Sequence, residues 1–201
     1  MKPYKEYTFE VPELIGISKK NIEEHLKLYA GYVKHTNLIL EKIDEFSKDS
    51  EKNAYILGEL QRRFGFEFDG MRNHEYYFKS LEEGAKNINL DEELYTVLTT
   101  QFGSFDAWLA RFKSIALTRG VGWAMLYYDH HTEQLVHAWV EEQHLGHLTG
   151  LEPILALDMW EHAFVYDYPT SEKKKYVEAF FENLNWSIIE KNFSNARKLS
   201  A

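Results

Sequence analysis

Asp158-Met159-Trp160-Glu161-His162 places a carboxylate and an imidazole four residues apart. On a turn of helix starting there, both side chains lie on one side and can chelate a single ion. The bland alternative is a helix-starting Asp and an unrelated His, and the spacing alone does not separate the two. His74 stands in Asn73-His74-Glu75-Tyr76-Tyr77-Phe78. Crowded by aromatics, it reads more readily as a hydrogen-bonded core residue than as a ligand. His25 lies beside the apolar stripe of a helix, with Tyr29 and Tyr32 four and seven residues on. It reads equally as a half-exposed helix histidine. The chain has no cysteine. Disulfides, thiolate zinc sites and thiol catalysis are therefore excluded, and polar chemistry falls to Asp, Glu, His and Tyr.

The elements that must position these residues follow from pattern. Residues 1–17, with Pro3 and Pro12, read as an extended arm. Ser18 is a candidate cap for a helix to about Phe46, because Ile22, Leu26, Tyr29, Val33, Leu40 and Ile43 share one face. The polar run Lys48–Lys52 turns the chain into a second helical region, about 53–83, with a break expected near Gly65 and an end at Gly84. Two long helices joined by a short turn form an antiparallel hairpin. Helices are predicted at 89–101 and 104–118, strands at 121–128, 134–140 and 153–157, and helices at 171–183 and 185–199. The fold class is α+β: an N-terminal antiparallel helical hairpin, then a C-terminal half with a three-stranded antiparallel sheet flanked by helices. We divide the chain into a hairpin domain, 1–86, and an α/β domain, 87–201.

Composition narrows the function classes. Aromatic residues make up 15% of the chain, which excludes disorder. No apolar window is long enough to span a membrane. The net charge of −9 disfavours a general nucleic-acid surface. Met1–Glu6 lacks the apolar stretch of a secretory signal, so a cytoplasmic location is expected.

Together the fragments are far more specific. His25, His74 and Asp158-x-x-x-His162 occur in order with Gln101-Phe-Gly-Ser-Phe105 and Gly122-Trp123. With Val11-Pro12-Glu13-Leu14 and Asn185-Trp186 they resemble the iron/manganese superoxide dismutase family from about Thr8 to Leu199. Asp158-x-Trp-Glu-His-Ala163 is the most recognisable part. The resemblance implies that His25, His74, Asp158 and His162 bind one Mn or Fe ion between the two halves. Such a set has no soft donor and suits those metals. It implies that Gln143 and Tyr32 orient solvent and relay protons, and that Trp123 and Trp160 wall the site. It implies a homodimer with Glu161 and His162 at the interface, and superoxide as substrate. Gly70 with Gln143 is the manganese-type pairing, which makes manganese the expected metal. The same resemblance leaves two rivals: a non-enzymatic or repurposed metal-binding relative, since the fold also occurs in mitochondrial ribosome components, and a metal–oxygen enzyme with another substrate.

The chain also departs from the family. Tyr29 stands nearest the place of a usual His, Val165 replaces a tyrosine, Lys173 replaces an arginine and Phe78 replaces a tryptophan. His130 and His131 are expected in a solvated turn, His144 and His147 as loop residues. Lys173–Lys175 is expected to be a solvated run that helps draw an anion toward the site. Relatives place the gateway tyrosine eight residues after the first His, but Tyr32 is seven after His25. Seven steps leave the two side chains about 20° apart on a plain α-helix, against about 80° for eight. The first helix is therefore predicted to carry no π-bulge between them.

Overall fold

In the computed structural model, which describes residues 2–198, α1 (Lys19–Phe46) and α2 (Ala54–Lys79) are joined through a 3-10 turn at Ser47–Asp49. The Ser18 hydroxyl accepts the Asn21 amide at 3.2 Å, which satisfies one of the free donors at the start of α1. Ile22, His25, Tyr29, Val33, Thr36 and Ile39 are buried at steps of three and four, so one face of α1 is core. His25 lies against His74 and Phe78, whereas Tyr32 lies against Phe66 and Gly70. Numbers rise on one helix as they fall on the other, so the pair is antiparallel.

The break expected near Gly65 does not occur: α2 runs through it unbroken. One interior glycine costs a helix only about 1 kcal/mol, less than the packing of α1 on α2 supplies. The helix ends at Lys79, before the expected 83. Glu83 and Gly84 then turn the chain in left-handed backbone, with φ of 60° and 81°.

The second half begins with α3 (Glu93–Phe102) and α4 (Phe105–Ala116), the latter capped by the Ser104 hydroxyl at 3.0 Å from Ala107 N. Strands β1 (Gly122–Asp129), β2 (Gln134–Glu141) and β3 (Glu152–Asp158) form an antiparallel sheet in the order β2-β1-β3. The central β1 is buried along nearly its whole length, so its sequence is a continuous apolar and aromatic run without alternation. Pro153 is accepted because β3 is an edge strand and its register slips opposite Leu126 and Tyr127. The Gln101 side chain donates to Leu135 O at 2.6 Å and accepts from Leu135 N at 2.8 Å, which pins the end of α3 to β2. Helices α5 (Lys173–Asn183) and α6 (Trp186–Lys198) close the described chain. Leu199, expected as the last helical residue, lies outside the described residues. No described helix is long and apolar enough to cross a membrane.

Asp158 and His162 do not share a turn of helix. Asp158 ends β3, paired with Trp123, and Met159 N donates to Gly122 O at 2.8 Å. A 3-10 turn follows at Glu161–Ala163. A strand end and a tight turn bring the two side chains together instead of helical spacing.

Candidate metal centre

Four side chains meet where the hairpin packs on the sheet. The ligand atoms of His25, His74, Asp158 and His162 all lie within 4.8 Å of one another, with the first three residues buried and His162 half-buried. Asp158 Oδ2 is 3.1 Å from His25 Nε2, 3.0 Å from His162 Nε2 and 3.5 Å from His74 Nε2. Each donor is oriented by its own element. His74 Nδ1 is 2.6 Å from the Gly70 carbonyl one turn earlier on α2, so Nδ1 carries the proton and Nε2 presents its lone pair. Asp158 Oδ1 accepts Trp160 N at 2.8 Å, which aims Oδ2 inward. Asn21, fully enclosed on α1, donates to Ala163 O and to Asp167 Oδ2, each at 3.0 Å. That clamp ties α1 to the turn carrying His162.

Electrostatics favour a cation at this point. Burial pushes the His74 imidazole down to about 3, with the neighbouring His25 adding to the effect. Burial also lowers His25. Burial raises the Asp158 carboxyl, but the His162 and His25 imidazoles beside it outweigh that and hold it well below the usual carboxylate range. Burial thus disfavours a proton on His25 and His74, while the Asp158 carboxylate beside them stays ionised. His74 Nε2 is buried without a hydrogen-bond partner. A hard or borderline divalent or trivalent metal satisfies all four at once, and these residues fit Mn or Fe.

Beside the four donors runs a chain of polar contacts. Gln143, completely buried, accepts Trp123 Nε1–H at Oε1 (2.8 Å) and donates from Nε2 to the Tyr32 hydroxyl oxygen (3.0 Å). Residues 19–46 are α-helical throughout, with no π-turn between His25 and Tyr32, and the tyrosine points at Gln143 as the seven-residue spacing predicts. Burial raises the Tyr32 phenol, with the Asp158 charge adding to it, so the hydroxyl stays protonated. Gly70 is needed here: a Cβ on it would stand 2.6 Å from the Tyr32 ring. Trp123 packs edge-on against His74 at 5.0 Å, Trp160 stacks on His162 at 5.7 Å, and Phe66 lies between Tyr32 and Trp160.

Residues 90–192 match the model of the iron/manganese superoxide dismutase C-terminal domain. The chain is 35% identical over 190 residues to an iron superoxide dismutase of Cupriavidus metallidurans, covering 93% of each protein. It is 34% identical to an iron superoxide dismutase of Aquifex aeolicus, covering 92% of this chain and 88% of that one. It is 33% identical over 194 residues to a manganese superoxide dismutase of Nocardia asteroides, covering 95% of this chain and 90% of that one. The chain belongs to the iron/manganese superoxide dismutase family.

Within that family frame the unusual positions find places. Tyr29 is not at the entrance. It is buried, accepts Tyr7 N–H at 3.0 Å and donates to Glu75 at 3.3 Å, which fastens the N-terminal arm. Phe78 packs on His25, with ring centroids 4.8 Å apart. Val165 is half exposed beside His162. Of the three lysines, Lys173 bonds Thr118 O at 2.7 Å and Lys175 pairs with Glu172 at 2.8 Å. His144 and His147 lie in the loop after β2 and outside the four-donor group. His147 is nevertheless hydrogen-bonded to the residues behind Gln143, a role the sequence reading did not give it. Asn21 and Asn73 were missed in the same way. Their only signal was an amide on a helix face that otherwise faces the core.

Proposed function

We propose that this chain is a superoxide dismutase, taking two superoxide anions and two protons to dioxygen and hydrogen peroxide. The observation that carries the reading is the convergence of three imidazole nitrogens and one carboxylate oxygen beside the Gln143–Tyr32 pair. His25, His74 and His162 through Nε2, and Asp158 through Oδ2, would hold one Mn or Fe ion. When bound, that ion supplies a one-electron couple that superoxide can both reduce and oxidise. Gln143 keeps the Tyr32 oxygen as an acceptor, so the Tyr32 proton is left to point elsewhere in the site. Trp123 fixes the Gln143 amide, and Trp160 and Phe66 restrict water. With all four donors convergent, the non-enzymatic alternative is not favoured.

We favour manganese, supported by Gly70 leaving Gln143 as the glutamine nearest the centre, although iron is the metal named for two of the relatives. We read the protein as a cytoplasmic homodimer with Glu161 and His162 at the seam. Exposed Leu28, Val165 and Tyr166 surround that corner and support the reading. We also read 1–86 and 87–201 as the two domains, and limited proteolysis near Gly84 tests that division.

The deciding experiment expresses the protein with each metal and measures superoxide removal per bound ion. Activity with at least one metal is expected, and Tyr32→Phe should lower turnover about ten-fold with metal retained. A metal-loaded protein inert to superoxide would overturn the reading. Sedimentation should show a dimer at micromolar protein, and Glu161→Ala should weaken it.

A further inference from the structure

Gln143 is held at its backbone as well as at its amide. It sits in a tight loop after β2. Glu141 and Leu145 exchange backbone hydrogen bonds at 2.8 and 3.1 Å, and Glu142 takes a left-handed φ of 53°. That conformation is unfavourable for a residue with a side chain and needs surrounding structure to hold it. The Trp160 indole N–H donates to Glu142 O at 3.0 Å. Behind the loop lies a buried group the metal centre does not use. Tyr127, on the central strand, is 1% exposed, and its hydroxyl is 2.5 Å from His147 Nδ1. His147 Nε2 is 3.2 Å from Gln143 O, and Asn73 Nδ2 donates to the same oxygen at 3.0 Å.

Only one assignment of protons satisfies this chain of contacts. His147 Nε2 faces the Gln143 carbonyl, which can only accept, so in the neutral ring Nδ1 is the acceptor and the Tyr127 proton goes to it. The imidazole then carries its own proton on Nε2 and donates it to Gln143 O. Its 3.4 Å approach to Asn73 Nδ2 is a meeting of two donors, not a hydrogen bond. Burial lowers the His147 pKa, consistent with this neutral form. Gln143 O thus accepts two N–H groups from two different elements, α2 and its own loop.

We propose that Tyr127 and His147 are positioning residues that set the depth of Gln143 in the site by fixing its carbonyl through a single imidazole tautomer. The proposal rests on the reading of Gln143 and Tyr32 as the proton relay. Neither Tyr127 nor His147 touches substrate or metal. Their effect passes through the main chain of Gln143 to the amide that meets Tyr32.

The test uses the manganese-loaded protein and three readings: bound metal, superoxide turnover and the visible absorption of the oxidised ion. His147→Leu should keep stoichiometric metal, lower turnover about ten-fold and move the absorption band. His147→Gln offers an acceptor to Tyr127 and a donor to Gln143 O, and it should restore both turnover and spectrum. Tyr127→Phe frees the tautomer without removing the imidazole and should give a smaller shift in the same direction. Wild-type turnover and spectrum in His147→Leu would overturn the proposal. So would equal damage from Leu and Gln at 147, which would mark a packing role. Gln143→Ala separates the two levels. If it too is indistinguishable from wild type, the relay reading falls with this one. If it is impaired while His147→Leu is not, only the positioning role is lost.

Discussion

The two halves of the candidate metal centre are built differently. The hairpin supplies His25 and His74 from the middle of long helices, both with side chains wholly out of solvent. The other half supplies Asp158 from a strand end and His162 from a 3-10 turn, and the His162 side chain keeps 20% exposure. A helix fixes a side chain through backbone hydrogen bonds on both sides of it. A turn fixes it only through a few contacts, here the Asn21 clamp on Ala163 and the stack with Trp160. The helical half is therefore the rigid frame. The turn half is where solvent, and in our reading a partner chain, reaches the four donors.

The largest expected effect comes from removing one fully buried donor from either half. His74→Ala or Asp158→Ala should abolish both metal binding and superoxide removal, and elemental analysis checks it. At metal a thousand-fold above its dissociation constant, losing the site should lower stability by about 4 kcal/mol. Stoichiometric metal in both variants would break the ligand assignment.

Acid should strike next. Burial holds His74 protonation down to about 3, against an ordinary 6.5 for a free imidazole, so below pH 6.5 the unfolded chain binds a proton that the folded one does not. Stability contributed by that site is present above 6.5 and declines as pH falls toward 3. Each such proton contributes about 1.4 kcal/mol per pH unit. Asp158, held below the usual range, adds a loss that begins near pH 4 and continues below it. Thermal midpoints of the metal-free protein should fall steadily from pH 7 to pH 4, and a flat profile would show that burial of these groups is not maintained without metal.

His162→Ala sharpens the comparison directly. Water can reach that corner, so this variant should keep weakened but measurable metal where His74→Ala keeps none. Equal losses would show that the turn is as rigid as the helix. The smallest change is Gly70→Ala. Its methyl would press on the Tyr32 ring, costing about 1–3 kcal/mol and displacing Tyr32 from Gln143 while the four donors stay in place. Loss of turnover with metal retained is the expected result, read by the same assay and elemental analysis.

Much of this was legible in residues taken singly or in short runs. Ser18 caps α1 where its side chain predicts it, because capping is a local exchange between one hydroxyl and an amide three residues on. The seven-residue step from His25 to Tyr32 keeps both on one face of a plain helix, because helical periodicity belongs to the backbone. The break at Gly65 failed for the opposite reason: a local weakness was overridden by packing against α1. Asp158-x-x-x-His162 does bring a carboxylate and an imidazole together, but not as a helical pair. Periodicity cannot tell a turn of helix from a strand end followed by a 3-10 turn, when both bring residues four apart together.

By itself the sequence determined the absence of thiols, the helical hairpin and the succession of three strands, which follow from residue type and short-range spacing, while the four donors were picked out by resemblance to the family. Tertiary structure alone decided how the two hairpin histidines meet Asp158, why position 70 admits no side chain, and how Asn73 ties the loop after β2 to the site. Those depend on contacts between residues 38 to 133 positions apart, such as Tyr32 with Gly70 and His25 with Asp158. No local rule carries information over that distance. It exists only once the hairpin has closed on the sheet and burial has made each unpaired polar atom costly.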